Sequence, residues 1–197
     1  MMCNFPVNKK QVYLDVAALH IASIRSGFLP TLGPTFLSLM YRCLDEGDTT
    51  ILHTKYKDDQ LVGFVTGSLG ISGLYRPMLS HPLALIYSLF PVIFNIKKIG
   101  KIFAILNHAS GPERAGYPQA ELLTICVNSS FRRQGLAEEL YAGLLNYFKE
   151  KSVNEFVIIV GQALDANEFY IRQGADVVGQ LQIHVGANSN VFVQRVG

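Results

Sequence analysis

Cysteine is scarce in this chain, charge is sparse, and no apolar run is long enough to span a bilayer. The three cysteines among 197 residues, Cys3, Cys43 and Cys126, are odd in number and widely spaced. That pattern fits neither a disulfide framework nor a thiolate metal site and suits a reducing cytoplasm. Lys and Arg number 17 against 15 Asp and Glu, a formal charge of +2. So small and dispersed a balance does not suit a nucleic-acid binder, which concentrates its basic residues. The longest apolar stretch, Pro82 to Phe94, contains two prolines and falls short of the ~20 residues that cross a membrane. The first residues show no apolar segment ahead of a small-residue cleavage site, so no secretory signal is expected. No internal repeat and no low-complexity segment is present.

What is there is apolar: 49% of residues are hydrophobic and only 16% charged. One domain over 1–197 is expected, with a core that needs neither disulfides nor metal. The apolar excess points to a buried helical layer or a subunit interface, and so to a homodimer. Val12 to Arg25 sets Val12, Val16, Leu19, Ala22 and Ser23 at helical spacing, and Phe28-Leu29-Pro30 breaks it. Pro34 suits the first turn of a second helix whose stripe is Phe36, Leu37, Met40 and Leu44, ended by Asp45-Glu46-Gly47-Asp48. Thr50 to Tyr56 and Leu61 to Ser68, either side of Lys57-Asp58-Asp59-Gln60, give a hairpin signal. From Ile71 to about Tyr117 the chain reads as helices, such as Leu83 to Phe90 and Val92 to Leu106, punctuated by Pro77, Pro82, Pro91 and Gly100. These would bury apolar faces and expose Lys97, Lys98 and Lys101. The remainder alternates: strand Glu121 to Val127, helix Leu136 to Lys151, strand Glu155 to Val160, helix Asp165 to Gln173, strands Asp176 to Val185 and Asn190 to Arg195. The fold class is α/β (α+β), an open mixed sheet flanked by helices.

Between the strand ending at Val127 and the helix beginning at Leu136 lies Phe131-Arg132-Arg133-Gln134-Gly135-Leu136-Ala137. A strand entering a helix through a short basic loop aims unpaired N–H groups and the positive end of the helix dipole at one spot, which suits a phosphate. Gly135 lets anion oxygens approach the backbone, Ala137 keeps the first turn narrow, and Arg132 and Arg133 add charge.

Arg132-x-x-Gly135-x-Ala137 resembles the pyrophosphate loop, Q/R-x-x-G-x-G/A, of the GNAT superfamily of acyl-CoA-dependent N-acyltransferases. Ala120 to Asn128 is similar to the central strand before that loop. Ala166-Asn167-Glu168-Phe169-Tyr170-Ile171-Arg172-Gln173-Gly174 resembles the family's A-x-x-F/L-Y-x-x-x-G helix and turn. The resemblance covers Ala120 to the C-terminus, and Val12 to Gly70 loosely. It implies a mostly antiparallel central sheet with a helical insertion, about 71–117, before the central strand.

The resemblance also implies acetyl-CoA as co-substrate, with no metal, and direct transfer of its acetyl group to a primary amine in a ternary complex. Backbone groups of Ile125 and Val127 would hold the pantetheine arm, the Val127 N–H polarising the thioester carbonyl. Arg132, Arg133, Gln134, Gly135, Leu136 and Ala137 would hold the pyrophosphate. Tyr170 would be the general acid, protonated at neutral pH because an ordinary phenol has a pKa near ~10. Glu121, opening the central strand, is the candidate general base for the ammonium proton. His53, His81 and His108 rival it on intrinsic pKa, and His20 and His184 are weaker rivals. Asn167 is a candidate contact to the arm, although the family's more usual asparagine falls where this chain has Ala163. Ala175 stands where the family often has an aromatic. Cys126 alternates away from Glu121, Ile125 and Val127 and reads as a packed thiol, not a nucleophile.

The expected acceptor is a small-molecule amine such as an amino sugar or other metabolite. A protein N-terminus or lysine is the alternative. A CoA-binding sensor without catalysis belongs to a different class. Docking of Pro82 to Ile102 on a membrane surface or another chain is a third reading, beside internal packing.

Overall fold

The computed structural model describes residues 8–24, 28–70, 78–93, 116–184 and 187–197. The first helix, α1, runs Lys9–Ser23, three residues ahead of the first expected turn, because the Asn8 side chain accepts a hydrogen bond from the Lys10 N–H and caps it. Helix α2, Pro34–Glu46, starts with proline in its first turn, where the missing N–H would be unpaired anyway. The predicted stripe of Phe36, Leu37, Met40 and Leu44 is buried, joined by Leu39, Tyr41 and Cys43. Strands β1, Thr50–Lys57, and β2, Gln60–Ser68, form the expected hairpin. Its two-residue turn has Asp58 and Asp59 at φ 49° and 59°, the left-handed pair that matches the strands' twist.

Helix α3 runs Pro82–Ile93 and continues through Pro91, where the proline had suggested a boundary between two helices. A proline removes one intrahelical hydrogen bond without always ending a helix. Leu85 and Leu89 pack on the cluster around α2, whereas Leu83, Ile86, Tyr87 and Phe90 lie on the solvent side, Leu83 82% exposed. Lys97, Lys98, Lys101 and His108, the second expected insertion helix and the Arg25 end of the first helix lie outside the described residues, as does Cys3.

Next come β3, Glu121–Val127, α4, Leu136–Glu150, β4, Glu155–Gly161, α5, Ala166–Arg172, β5, Asp176–His184, and β6, Ala187–Arg195. The six strands lie in the order β1-β2-β3-β4-β6-β5. Among the described residues only β3 and β4 pair in parallel. Strand β6 begins three residues earlier than its periodicity suggests, at a polar stretch paired back on β5.

The sheet separates two cores. On one face α1 and α2 pack with Leu61, Phe64, Met78 and Cys126. On the other, Leu140, Tyr141, Leu144 and Phe148 of α4 meet Val65, Leu122, Phe156, Ile158, Tyr170 and Phe192. Gly67 brings α4 down onto β2, since a Cβ there would lie 2.5 Å from Leu144 Cδ1 and 3.1 Å from Phe148 Cζ. Among the described residues no helix is long and apolar enough to cross a membrane.

Candidate active site

Strands β3 and β4 pair only at Glu121 with Val157 and Leu122 with Ile158. Beyond that point β4 stays paired to β6 as far as Gly161, and β3 stays paired to β2 as far as Val127. The two strands therefore part in mid-sheet and leave a fork. The Asn128 N–H donates to the Val62 carbonyl at 2.9 Å. Antiparallel backbones alternate in direction, so Cys126 and Asn128 address β2 while Ile125 and Val127 turn their backbone groups into the fork.

At the fork β3 bulges. Thr66 faces Thr124 and Gly67 faces Leu122, leaving Leu123 without a partner. The extra residue exchanges the strand's faces. Leu122 belongs to the α4 core, Leu123 packs on the α1–α2 core, Ile125 and Val127 pack towards α4, and Cys126 lies in the α1–α2 core. Strict alternation had set Glu121 with Ile125 and Val127 and opposite Cys126. The bulge overturns this: Glu121, paired with Ser68, shares the α1–α2 face with Cys126.

The loop after β3 is built from local caps. The Asn128 side chain accepts from the Ser130 N–H at 3.1 Å and starts one 3-10 turn, Ser129–Phe131. Arg133 (φ 61°) and Gly135 (φ 78°) are both left-handed, and such residues turn successive N–H groups towards a common centre. The first α4 amide to meet a backbone carbonyl across the cap is that of Glu139, bonded to Gly135 at 3.0 Å. The Leu136, Ala137 and Glu138 amides thus lack helical acceptors. Nothing lies within 4 Å of where a Gly135 Cβ would stand. Arg132 Nε donates to the Val127 carbonyl at 3.3 Å, tying the loop to the strand, while its other guanidinium donors and the exposed Arg133 and Gln134 border the open side. An ion pair between Lys55 and Glu139 joins β1 to the first turn of α4.

Tyr170, 3% exposed, packs against the rings of Phe169, Phe192 and Tyr141 at 5.2, 5.9 and 6.1 Å. Burial pushes its pKa far above the ordinary 10, so the hydroxyl keeps its proton throughout the neutral range. Asn167 uses its amide inside the turn before α5. Nδ2 donates to Leu164 and Gly161 carbonyls at 2.6 and 3.0 Å, and Oδ1 accepts from Asn190 Nδ2 at 2.9 Å. His53 lies three strands away from the fork's β4 arm, on edge strand β1, its ring against Gly143 of α4. Burial pushes the Cys126 thiol pKa up, with Ser23 and Arg132 opposing, which disfavours the thiolate.

The acetyltransferase (GNAT) family model matches residues 21–175. The chain belongs to that family. It is therefore an N-acetyltransferase, and acetyl-CoA is the family's typical co-substrate. The acetyltransferase shares its fold with many solved structures. One is an aminoglycoside 6'-N-acetyltransferase complexed with coenzyme A, 13% identical, TM-score 0.60, covering 100% of this chain and 95% of that one. A second is the aminoglycoside 6'-N-acetyltransferase from Enterococcus faecium, 12% identical, TM-score 0.60, covering 100% and 98%. A third is the ribosomal-protein-S18-alanine N-acetyltransferase from Escherichia coli, 13% identical, TM-score 0.55, covering 93% and 88%. No curated protein matches the chain.

Within the acetyltransferase, the central strand and the loop after it were legible as motifs, but a polar pair on the α1–α2 side of the sheet was not. His20 Nδ1 lies 2.5 Å from the Tyr41 hydroxyl, both side chains buried. His20 follows Val16 and Leu19 along an apolar stripe, so its position alone gave only a burial signal.

Proposed function

We propose that this acetyltransferase passes the acetyl group of acetyl-CoA directly to the primary amine of a small molecule such as an amino sugar, in a reducing cytoplasm. The observation that carries the reading is the fork: half of β3 offers a strand edge, and at its far end a loop of unpaired amides opens without a Cβ in the way. An extended arm carrying amides fits the edge as an added strand. A pyrophosphate suits the Arg132 to Ala137 loop, where each anion near a helix start gains about 0.3–1 kcal/mol when exposed and up to about 2 when partly buried.

Bound there, acetyl-CoA supplies an activated acyl group. Ile125 and Val127 hold the arm by backbone bonds, and the Val127 N–H polarises the carbonyl, a contact worth about 2.7–4 kcal/mol in the transition state. Tyr170, kept protonated by burial, delivers a proton to the leaving thiolate. Glu121, on the α1–α2 face, takes the ammonium proton directly or through water. Asn167 contributes by fixing the turn that carries Tyr170, through its bonds to Leu164, Gly161 and Asn190.

A small acceptor is favoured by Met78 and α3, which build further wall onto the face that Glu121 shares. Two of the structural neighbours act on aminoglycosides and one on a protein alanine, so both acceptor classes enter the test. Calorimetry should show coenzyme A binding. Mass spectrometry should then show acetylation of glucosamine or an aminoglycoside ahead of a peptide beginning with alanine. Preference for the peptide would replace the small-molecule reading with the protein one. Binding without turnover would favour a CoA sensor.

A further inference from the structure

Strand β6 meets α5 at two adjacent points. Asn190 and Phe192, two residues apart on β6, share one face of the sheet, and Asn167 and Tyr170, three apart on α5, share one face of the helix. Asn190 Nδ2 donates to Asn167 Oδ1 at 2.9 Å, and the Phe192 ring lies 5.9 Å from that of Tyr170. Spacings of about 7 Å along a strand and about 5–6 Å along a helix face set the polar and the aromatic contact side by side. We propose that Asn190 is a positioning residue for Tyr170: through Asn167 it fixes how α5 sits on the sheet, and so the place where the phenol delivers its proton. This rests on the reading of Tyr170 as general acid above.

Backbone carbonyls, which only accept, set the polarity of this contact. One side-chain atom of Asn167 lies 2.6, 3.0 and 3.3 Å from the Leu164, Gly161 and Gln162 carbonyl oxygens, so that atom is the Nδ2 donor. Its Oδ1 therefore faces Asn190, which must offer its own Nδ2 there. Asn190 Oδ1 is left to accept from Gln162 Nε2 at 3.1 Å. The three amides thus run in one direction, from Gln162 through Asn190 and Asn167 into the turn that joins β4 to α5. That turn depends on the tether, because α5 spans only Ala166–Arg172 and the Asp165 side chain makes no capping bond. Strand β4 ends at Gly161 on one arm of the fork, so the tether fixes the helix of the acid to the strand that walls the slot. With the aromatic contact alone α5 is free to pivot, and a displacement of about 1 Å at a reacting group costs as much as about 100-fold in rate.

The test compares wild type, Asn190→Asp, Asn190→Ala, Tyr170→Phe and the double variant Asn190→Asp with Tyr170→Phe. The turnover number is measured on whichever of glucosamine, an aminoglycoside and an alanine-first peptide the wild type acetylates, coenzyme A affinity by calorimetry, and folding by urea. Asn190→Asp is nearly isosteric and exchanges the donor for an acceptor, so the Asn167 amide must lose this partner or turn its Nδ2 away from the three carbonyls. It should lower kcat about tenfold or more while Kd for coenzyme A changes by less than about twofold. Asn190→Ala, which removes the donor without opposing Asn167, should lose less, whereas a role in packing alone would make the shorter alanine the worse of the two. The double variant should match Tyr170→Phe within about twofold, since a phenylalanine has no proton to misplace. Losses that multiply in the double variant, or Asn190→Asp at wild-type kcat, overturn the role of Asn190 and leave acetyl transfer standing. Should Asn190→Asp fail to fold, Asn190→Ala takes its place in the cycle with the same criterion. Tyr170→Phe at wild-type kcat overturns the general-acid reading and this role with it. Wild type that binds coenzyme A yet acetylates none of the probes overturns the transfer reading and this role together.

Discussion

Tyr170 packs its ring against Phe169, Phe192 and Tyr141, and burial lifts further a pKa that already leaves a phenol protonated in the neutral range. Tyr170→Phe retains the ring packing and removes only the O–H. We expect kcat to fall about 100-fold, within the range for lost general acid catalysis, with coenzyme A affinity unaltered; steady-state kinetics beside calorimetry would show the split. Gly135 acts through the absence of a side chain. At φ 78° a β-branched residue is strained, and its Cβ would project into the open ground before the α4 amides. Gly135→Val should weaken coenzyme A binding about tenfold or more, roughly 1.4 kcal/mol, measured by calorimetry. An unchanged Kd would remove the loop from the cofactor site.

Between elements, α4 comes down closely on β2 at Gly67. Gly67→Val would drive methyl groups into Leu144 and Phe148, both fully buried. We expect a loss of about 1–3 kcal/mol in urea unfolding, the usual penalty of overpacking. The α4 core and the β1–β2 hairpin were readable in the sequence because periodicity and turn residues decide them locally. The resemblance implied a bulge in the central strand, but its place at Leu123 was not readable, for a bulge is set by how two strands meet and leaves no mark on the residue order of either. Reading Glu121 to Val127 as an unbroken alternation therefore misplaced Glu121 relative to Cys126. The passage from strand through loop into helix was legible from Gly135 and its basic neighbours, whereas the His20–Tyr41 pair joins residues 21 apart on two helices. Pro91 misled for a related reason: proline weakens a helix locally, and α3 continues past it.

For the molecule as a whole, His20 links stability to pH. Its folded pKa of about 4 lies below the ordinary 6.5, so the unfolded chain binds a proton that the native state refuses. Stability should fall as pH drops from about 6.5 towards about 4 and then level off for this group, by about 3 kcal/mol at roughly 1.4 kcal/mol per unit. Urea unfolding of wild type and His20→Asn across that interval would show it as a slope that the variant lacks. The sheet itself has one more property. Outer strand edges invite neighbouring molecules, but the edge left bare where β3 and β4 diverge is walled by its own sheet on both sides. Whatever fills it becomes a temporary seventh strand, so occupancy should be recorded in the amide hydrogens of Ile125 and Val127, exchanging freely when the slot is empty and slowly when it is full.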